Sequence, residues 1–323
     1  MRSSSVRWID IHHHILPARY KKYLERLGID SIGGAAIPDW TLRASLDMLD
    51  RSGIDAAALS VSSPGAYSED AATAVELAGI CNDELLQAVS ERPDRFAAFT
   101  VLPMPHIDAS LQVLQQCARF DGVGLISSYG NKYLGDPAFI PIFEELDRRQ
   151  AVVFIHPTIG PGSLSFDIGV LPAAVEFTFD TTRTVLSLLR GGIFHRYPAI
   201  KFVLAHNGGT IPFLAGRIAS LLERRLPYET FAPQGVAHYL KQLYYECTTS
   251  TSDATLQCVQ AFAGSSQILF GTDYPFAPEA VGVKGKQDLA AFSNFDEQDR
   301  RKIACENAAR LLPRLAGQPA ASA

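Results

Sequence analysis

The chain has 323 residues, with 29 Lys and Arg against 34 Asp and Glu, which gives a formal net charge of −5. At 47% hydrophobic and 20% charged residues, the composition excludes a disordered chain. The acidic balance argues against a nucleic-acid partner, because a phosphate-binding surface needs an excess of Lys and Arg.

No apolar stretch approaches the ~18 uninterrupted residues of a membrane span, so no membrane partner is expected. Residues 1–8 contain two arginines and no apolar run, so no signal peptide is predicted. None of the five cysteines forms a CxxC pair, and they are Cys81, Cys117, Cys247, Cys258 and Cys305. This pattern predicts reduced thiols and a cytoplasmic location.

Eight short apolar segments follow one another along the chain, and most are continuous rather than alternating. Continuous apolar segments are typical of strands that are buried on both faces, as in a parallel sheet covered by helices. The predicted strands span residues 6–12, 56–61, 96–102, 122–126, 151–155, 200–205, 243–247 and 268–271.

Amphipathic segments lie between these strands. Leu42, Leu46 and Leu49 illustrate the apolar spacing of three or four residues that predicts a helix with one buried face. The predicted helices span residues 42–51, 70–91, 109–119, 140–150, 185–190, 211–225 and 254–263.

Eight strands alternating with helices predict an α/β fold, a (β/α)8 TIM barrel, as a single domain over residues 1–316. A doubly wound open sheet is the competing architecture, and the count of eight strands favours the barrel. Residues 317–323 are predicted to be a frayed tail. Long loops follow four predicted strands, on the face where barrel enzymes carry their active sites, at residues 15–41, 127–137, 157–173 and 274–288.

Polar residues stand at the carboxyl ends of four predicted strands, which meet at one mouth of a barrel. His12 and His14 end the first strand, and residues two apart in a strand project from the same side. His156 follows the fifth strand, His206 the sixth and Asp273 the eighth.

An H-x-H pair with a third histidine and a carboxylate suits a divalent transition metal. We therefore predict His12, His14, His156 and Asp273 as metal ligands, with His206 either a further ligand or an acid/base group. Asp10 is either an acceptor that braces the metal site or a core contact. Four aromatic residues are candidates for the wall of a substrate pocket, namely Trp40, Tyr129, Tyr274 and Phe276.

Over nearly its whole length the sequence resembles the amidohydrolase superfamily, in the branch typified by aminocarboxymuconate-semialdehyde decarboxylase. The matching segments are IDIHHHILP (9–17), RPDRFAAFTVLPMP (92–105), VVFIHPT (152–158), GGIFHRYPAIKFVLAHNGGTIPFLAGR (191–217) and ILFGTDYPF (268–276). Within that branch, residues 33–40 and 133–149 look more like the 6-methylsalicylate decarboxylases.

The resemblance implies one divalent metal, zinc in preference to manganese, bound by the four predicted ligands. It implies that His206 is the catalytic acid/base and that Asp273 also gives the proton. It further implies that Arg217, eleven residues after His206, reaches a neighbouring subunit's active site and holds the substrate carboxylate, so a homodimer is expected. No lysine follows the fourth strand, where binuclear hydrolases carry a carboxylated lysine, so a mononuclear site is expected.

These implications describe a metal-dependent non-oxidative decarboxylase, a carbon–carbon lyase, that acts on an ortho-hydroxybenzoate-type aromatic acid such as 6-methylsalicylate. The alternative is a metal-dependent hydrolase of a lactone or amide on the same mononuclear site. The two differ in product mass, by a loss of CO2 or a gain of water. A barrel that only binds a small acid is the non-enzymatic alternative, and the presence of His206 and Asp273 argues against it.

Overall fold

The computed structural model describes residues 6–116, 120–163 and 169–317, so the predicted tail beyond Gly317 lies outside the described residues. Eight parallel strands form one sheet in which each strand pairs with the next one along the chain. They are β1 (Ile9–His14), β2 (Ala56–Ser60), β3 (Phe96–Val101), β4 (Gly122–Ile126), β5 (Val152–His156), β6 (Lys201–Leu204), β7 (Tyr244–Glu246) and β8 (Ile268–Leu269).

The sheet closes on itself where the chain leaving β8 meets β1. The backbone N–H of Ile11 donates to the carbonyl of Phe270 at 3.0 Å, and that of Asp273 donates to the carbonyl of His12 at 2.7 Å. The predicted (β/α)8 TIM barrel is confirmed, with all eight strands displaced by no more than a few residues from their predicted bounds.

Helices cover the outside of the barrel, and none that the structure describes is long and apolar enough to cross a membrane. They are α1 (Ala18–Arg26), α2 (Leu42–Ser52), α3 (Ala71–Glu91), α4 (Ile107–Gln116), α5 (Ile140–Arg148), α6 (Pro172–Arg190), α7 (Ile193–Arg196), α8 (Ile211–Arg225), α9 (Val236–Lys241), α10 (Asp253–Ala263), α11 (Glu279–Ala291), α12 (Glu297–Arg301) and α13 (Asn307–Leu311). The last residues of the helix predicted over 109–119 lie outside the described residues.

Capping residues set the ends of the barrel helices. The side chain of Thr41 accepts the N–H of Ala44 at 3.0 Å before α2, and Asp70 accepts the N–H of Thr73 at 2.8 Å before α3. Each bond satisfies one of the N–H groups that a helix leaves unpaired at its start. Gly53 ends α2 with a φ of 61°, a left-handed conformation that glycine adopts without strain.

The long loops predicted after four strands are present, and three of them also contain regular structure. Residues 15–41 hold α1 and a hairpin of Ser31–Ile32 with Ala35–Ala36. Residues 127–137 hold a second hairpin, and residues 274–288 hold the start of α11. Gly33 and Gly34 suggested a loop, but their positive φ values of 59° and 86° form the tight turn of the first hairpin.

Helix α6 starts at Pro172, well before its predicted start at residue 185. Its threonines weakened the helical pattern, because β-branched residues disfavour helices. In the structure the hydroxyl of Thr181 donates to the carbonyl of Phe177, and that of Thr182 donates to the carbonyl of Thr178. These bonds satisfy the hydroxyls inside the helix. The loop predicted over 157–173 is accordingly shorter, and its residues 164–168 lie outside the described residues.

Apolar side chains fill the barrel below its mouth. Phe99 and Phe154 stack there with ring centroids 5.4 Å apart and planes inclined by 20°. The C-terminal segment closes the lower end of this interior with three buried side chains, Leu311, Leu312 and Leu315. The barrel is therefore a packed core whose upper end alone is polar.

The variant Phe99→Ala is expected to lower the free energy of unfolding by about 3–5 kcal/mol, because it deletes a buried ring from this core. Val75→Ala is the matched control, since Val75 is 46% exposed on α3, and it should change stability by less than about 0.5 kcal/mol. Urea unfolding followed by circular dichroism measures both. Equal losses in the two variants would contradict a packed interior.

Candidate active site

A bulge in β1 turns two histidines toward the barrel mouth. The pairing of β1 with β2 shifts register between Asp10 and His13, so β1 carries an irregularity there. A bulge re-aims the side chains that follow it. His12 and His14 consequently come together with His156, whereas His13 points behind the strand and bonds Asp10 at 3.0 Å.

Four side chains converge at this mouth, from β1, from β5 and from the segment after β8. The candidate ligand atoms of His12, His14, His156 and Asp273 all lie within 4.8 Å of one another. Nε2 of His12 is 2.9 Å from Nε2 of His14 and 3.2 Å from Oδ1 of Asp273, and Nε2 of His14 is 3.1 Å from the same oxygen. Metal–ligand bonds of about 2.0–2.2 Å place neighbouring ligand atoms about 3 Å apart, so the spacing fits one metal ion.

Without a cation, the atoms that face the centre of this cluster are short of hydrogen-bond donors. Among the described residues, no donor meets the buried Oδ1 of Asp273 with hydrogen-bond geometry. The facing Nε2 atoms of His12 and His14 can share at most one proton. Both the spacing and the chemistry of the four donors therefore fit a divalent transition metal.

Each of the three histidines is held through its other ring nitrogen, Nδ1. The partners are Glu246 Oε2 at 2.6 Å for His12, Ser60 Oγ at 2.9 Å for His14 and the carbonyl of Pro157 at 2.8 Å for His156. Such partners fix the tautomer and orientation of a metal-binding imidazole. Nε2 is left as the coordinating atom in all three.

Burial and neighbouring charges set the protonation of the cluster. Burial lowers the pKa of His14 to about 4 and the pKa of His156 well below its ordinary value. Burial also opposes charge on His12, but the carboxylates of Glu246 and Asp273 outweigh it and raise the pKa of His12 to about 10. Burial would raise the pKa of Asp273, yet the His12 charge holds it well below its ordinary range.

His206 lies beside the cluster on a strained backbone. Its φ of 53° is in the left-handed region, as is the φ of 58° at Asp273. Such strain in non-glycine residues concentrates at functional sites. Nδ1 of His206 lies 3.2 Å from the carbonyl oxygen of Thr248, so Nε2 is the nitrogen available to a substrate.

A cavity of about 370 Å³ opens above these residues, with His156, His206 and Asp273 in its lining. The first hairpin and α6 together form one wall, tied by the bond from the N–H of Ala173 to the carbonyl of Gly33 at 2.9 Å. The walls are mainly apolar and include Ile32, Ala35, Leu171, Phe177, Phe276, Pro278 and Val281. In the part of the chain that the structure describes, no Lys or Arg lines the cavity.

The predicted substrate contacts fall in different places. Phe276 lines the cavity, and its ring centroid is 5.6 Å from that of His14. Trp40 and Tyr129 do not line it, because the indole N–H of Trp40 donates to Ser45 and the hydroxyl of Tyr129 folds back to accept the N–H of Ile126.

Arg217 also lies outside the cavity of its own chain, since it is exposed on α8. Asp10 contacts no ligand atom of the cluster. It accepts the backbone N–H of His12 at 3.0 Å and the hydroxyl of Thr272 at 2.6 Å, and so ties β1 to the segment after β8.

Sequence reasoning missed Glu246 and Phe177. Glu246 lies one residue before the end of the strand predicted over 243–247, and a carboxylate at the carboxyl end of a strand was the available signal. Phe177 lies in the threonine-rich part of α6 that was not predicted as helix, and its ring centroid is 5.9 Å from that of His156.

A family model described as amidohydrolase matches residues 9–314. The chain belongs to the amidohydrolase family. The match extends over the barrel from the first residue of β1 to the end of the C-terminal helices, so it includes every residue of the cluster.

Decarboxylases are among its relatives. The 6-methylsalicylic acid decarboxylase of Penicillium expansum is 32% identical over 316 residues, which cover 96% of this chain and 97% of the relative. The 2-amino-3-carboxymuconate-6-semialdehyde decarboxylase of Dictyostelium discoideum is 30% identical, with 94% of this chain and 91% of the relative covered. A crystal structure of 2,6-dihydroxybenzoate decarboxylase complexed with 2,6-dihydroxybenzoate superposes with a TM-score of 0.80 at 25% identity, covering 96% and 99% of the two chains. The predicted resemblance to this branch is confirmed.

Removal of one candidate ligand should abolish tight metal binding. His156→Ala is expected to weaken binding of Zn²⁺ or Mn²⁺ by more than the roughly 10–100-fold typical of losing a ligand's outer partner. His238→Ala is the control, because His238 is exposed on α9 and bonds only to Gln242 among the described side chains. Metal analysis after dialysis and competition with a coloured chelator measure the affinity. A His156→Ala protein with undiminished affinity would overturn the assignment.

Proposed function

We propose that this chain is a metal-dependent carboxy-lyase that removes CO2 from an ortho-hydroxybenzoate-type aromatic acid such as 6-methylsalicylate. The observation that carries the proposal is the cluster of His12, His14, His156 and Asp273 beneath a mainly apolar cavity. A cavity of about 370 Å³ has room for a substituted benzene ring. The relatives support the proposal because they are decarboxylases and match this chain along almost its whole length.

One divalent metal ion is the proposed cofactor, with zinc preferred and manganese the alternative. Three imidazoles and one carboxylate suit either ion. Bound at the four ligands, the ion would withdraw charge from the phenol and carboxylate oxygens of the substrate. The protein's own contribution is to hold those four donors at a spacing that leaves the cavity side open.

Asp273 and His206 are the proposed catalytic residues, and both line the cavity. A proton adds to the ring carbon that bears the carboxylate. The bond from that carbon to the carboxylate then breaks, its electron pair restores the aromatic ring, and CO2 leaves. Asp273 takes up the proton that the phenol of the bound substrate releases and gives it to the ring carbon. His206, held at Nδ1 by the carbonyl of Thr248, stabilises charge or supplies through Nε2 the proton that the phenol oxygen regains.

Phe276 is the proposed contact to the substrate ring, and Phe177 faces the same cavity. Their rings, with the aliphatic side chains around them, exclude water from the ring carbon that takes up the proton. An apolar wall also suits a methyl substituent on the ring, which loses no hydrogen bond when it is buried.

A homodimer is the proposed assembly, because a substrate carboxylate finds no Lys or Arg in the described lining of the cavity. Arg217 is exposed on α8, one turn after the exposed ring of Phe213 on the same helix. An exposed aromatic ring beside an arginine is typical of the centre of a protein interface. We therefore assign the recognition of the carboxylate to Arg217 from a second copy of the chain.

We assign the enzyme to the cytoplasm. The cysteines in the described residues are free thiols, as expected in a reducing compartment, and Cys117 lies outside those residues.

The reaction is tested with protein that is stripped by a chelator and then reloaded with Zn²⁺ or Mn²⁺. The reloaded protein should release CO2 from 6-methylsalicylate and give a product lighter by one CO2, and the stripped protein should not.

His206→Ala should lower kcat by about 10²–10⁴-fold, the usual loss for a general acid or base. No CO2 from any ortho-hydroxybenzoate, together with a mass gain of one water on a lactone or amide, would assign a hydrolase instead.

The dimer is tested by mixing two impaired variants at a substrate concentration well below the KM of Arg217→Ala. Arg217→Ala should raise KM strongly, and a 1:1 mixture of Arg217→Ala and His206→Ala should recover roughly a quarter of wild-type activity, because half of the dimers are hybrids with one intact site each. Subunit exchange in dilute urea before the assay forms the hybrids, and each variant exchanged with itself is the control. A mixture no more active than its components would refute a shared site.

A further inference from the structure

Glu246 is a buried carboxylate at the end of β7, and its side chain is fully enclosed. Its Oε2 atom is 2.6 Å from Nδ1 of His12 and accepts the backbone N–H of His206 at 3.3 Å. Its Oε1 atom accepts the backbone N–H of Thr248. The carboxylate therefore receives N–H groups from three segments, which are β1, the chain after β6 and the chain after β7.

The same end of β7 also holds the ring of His206. The carbonyl of Thr248 lies 3.2 Å from Nδ1 of His206, and the N–H of Thr248 is the group that donates to Glu246. Backbone and ring of His206 are thus fixed by neighbouring parts of one segment. This explains how His206 keeps its left-handed φ of 53°.

Space for the Glu246 carboxylate depends on Gly271. A Cβ atom at position 271 would overlap that carboxylate and would lie 2.7 Å from Cβ of His12. The missing side chain at 271 therefore lets Glu246 reach the back of the His12 ring. Glu246 is not among the residues that line the cavity, so it acts on the site from behind.

We propose that Glu246 is a positioning residue that fixes the tautomer of His12 for metal binding and at the same time places His206. A carboxylate is required because it only accepts hydrogen bonds, whereas His12, His206 and Thr248 all present N–H groups to it. A glutamine can accept on one side only. Its NH2 group would face either His12 and His206 or Thr248, so at least one of these N–H groups loses its acceptor.

The variant Glu246→Gln tests this inference, which rests on the proposed metal site and not on the proposed substrate. We expect its affinity for Zn²⁺ or Mn²⁺ to fall by about 10–100-fold, as is typical when the outer partner of a metal-binding histidine is lost. The visible spectrum of the Co²⁺-loaded protein should change as the His12 ring turns. At saturating metal kcat should fall with KM little changed, because Glu246 does not line the cavity.

Glu246→Asp is the second variant, since it keeps an acceptor-only group but withdraws it by one methylene. Its metal affinity should lie between those of the wild type and Glu246→Gln. Asp121→Asn is the matched control at the opposite end of the barrel, where Asp121 accepts the N–H of Ala98 at 3.0 Å and bonds Arg314 at 2.8 Å. It should lower stability and leave the metal affinity and the Co²⁺ spectrum unchanged.

A Glu246→Gln protein with wild-type metal affinity, Co²⁺ spectrum and kcat would overturn the inference. So would equal losses of metal affinity in Asp121→Asn, because they would reveal a general effect of stability. If Glu246→Gln does not fold, Glu246→Asp provides the test. A metal affinity below that of the wild type supports the inference, and an unchanged affinity overturns it. A wild-type protein that binds metal but decarboxylates no aromatic acid would refute the proposed function, and the metal and Co²⁺ measurements would still test Glu246.

Discussion

Hydrogen bonds between the first strand and the segment after the last strand hold His12 and Asp273 together, and the rest of the site depends on them. The N–H of Asp273 donates to the carbonyl of His12 at 2.7 Å, so the closure of the barrel itself brings the carboxylate to the H-x-H pair. Asp10 strengthens this seam through Thr272. Once the seam is closed, the ends of β5, β6 and β7 can reach the same point only because parallel strands share one mouth.

The cluster buries ionisable groups, which by itself destabilises the fold. Placing opposite charges beside one another offsets part of that destabilisation. Two imidazoles are kept neutral by burial, and the third stands between the carboxylates of Glu246 and Asp273. A buried charge without a partner would destabilise the fold by several kcal/mol. The packed interior around Phe154 supports this arrangement from below, since the Phe154 and His12 ring centroids are 5.0 Å apart. The contacts that stabilise the buried His12 ring therefore also hold it in position to bind a cation.

The sequence was sufficient for the strands, the barrel and the family, because continuous apolar strands and the residues at their ends carry strong local signals. It failed where the outcome depends on contacts between distant segments. Trp40 and Tyr129 have suitable chemistry for a pocket, yet Ser45 and the backbone of Ile126 draw their polar atoms away from it. Helix α6 was predicted too short because its threonines lower the helix propensity. Propensity does not reveal that their hydroxyls donate to backbone carbonyls within the helix. Glu246 has no motif around it, and its importance becomes apparent only through the neighbours that three other segments bring to it.

The packed lower end of the barrel affects how the substrate enters and how the products leave. Leu311, Leu312 and Leu315 seal the interior beneath the cluster, and the guanidinium of Arg7 fastens this plug by donating to the carbonyl of Leu315 at 2.6 Å. Among the described residues, this packing closes the lower end of the barrel, so the cavity opens at the upper mouth. For a reaction that turns one acid into a phenol and a gas, all three molecules share it. CO2 is small enough to leave while the phenol product still occupies the cavity, whereas the next substrate acid can enter only after the phenol has left.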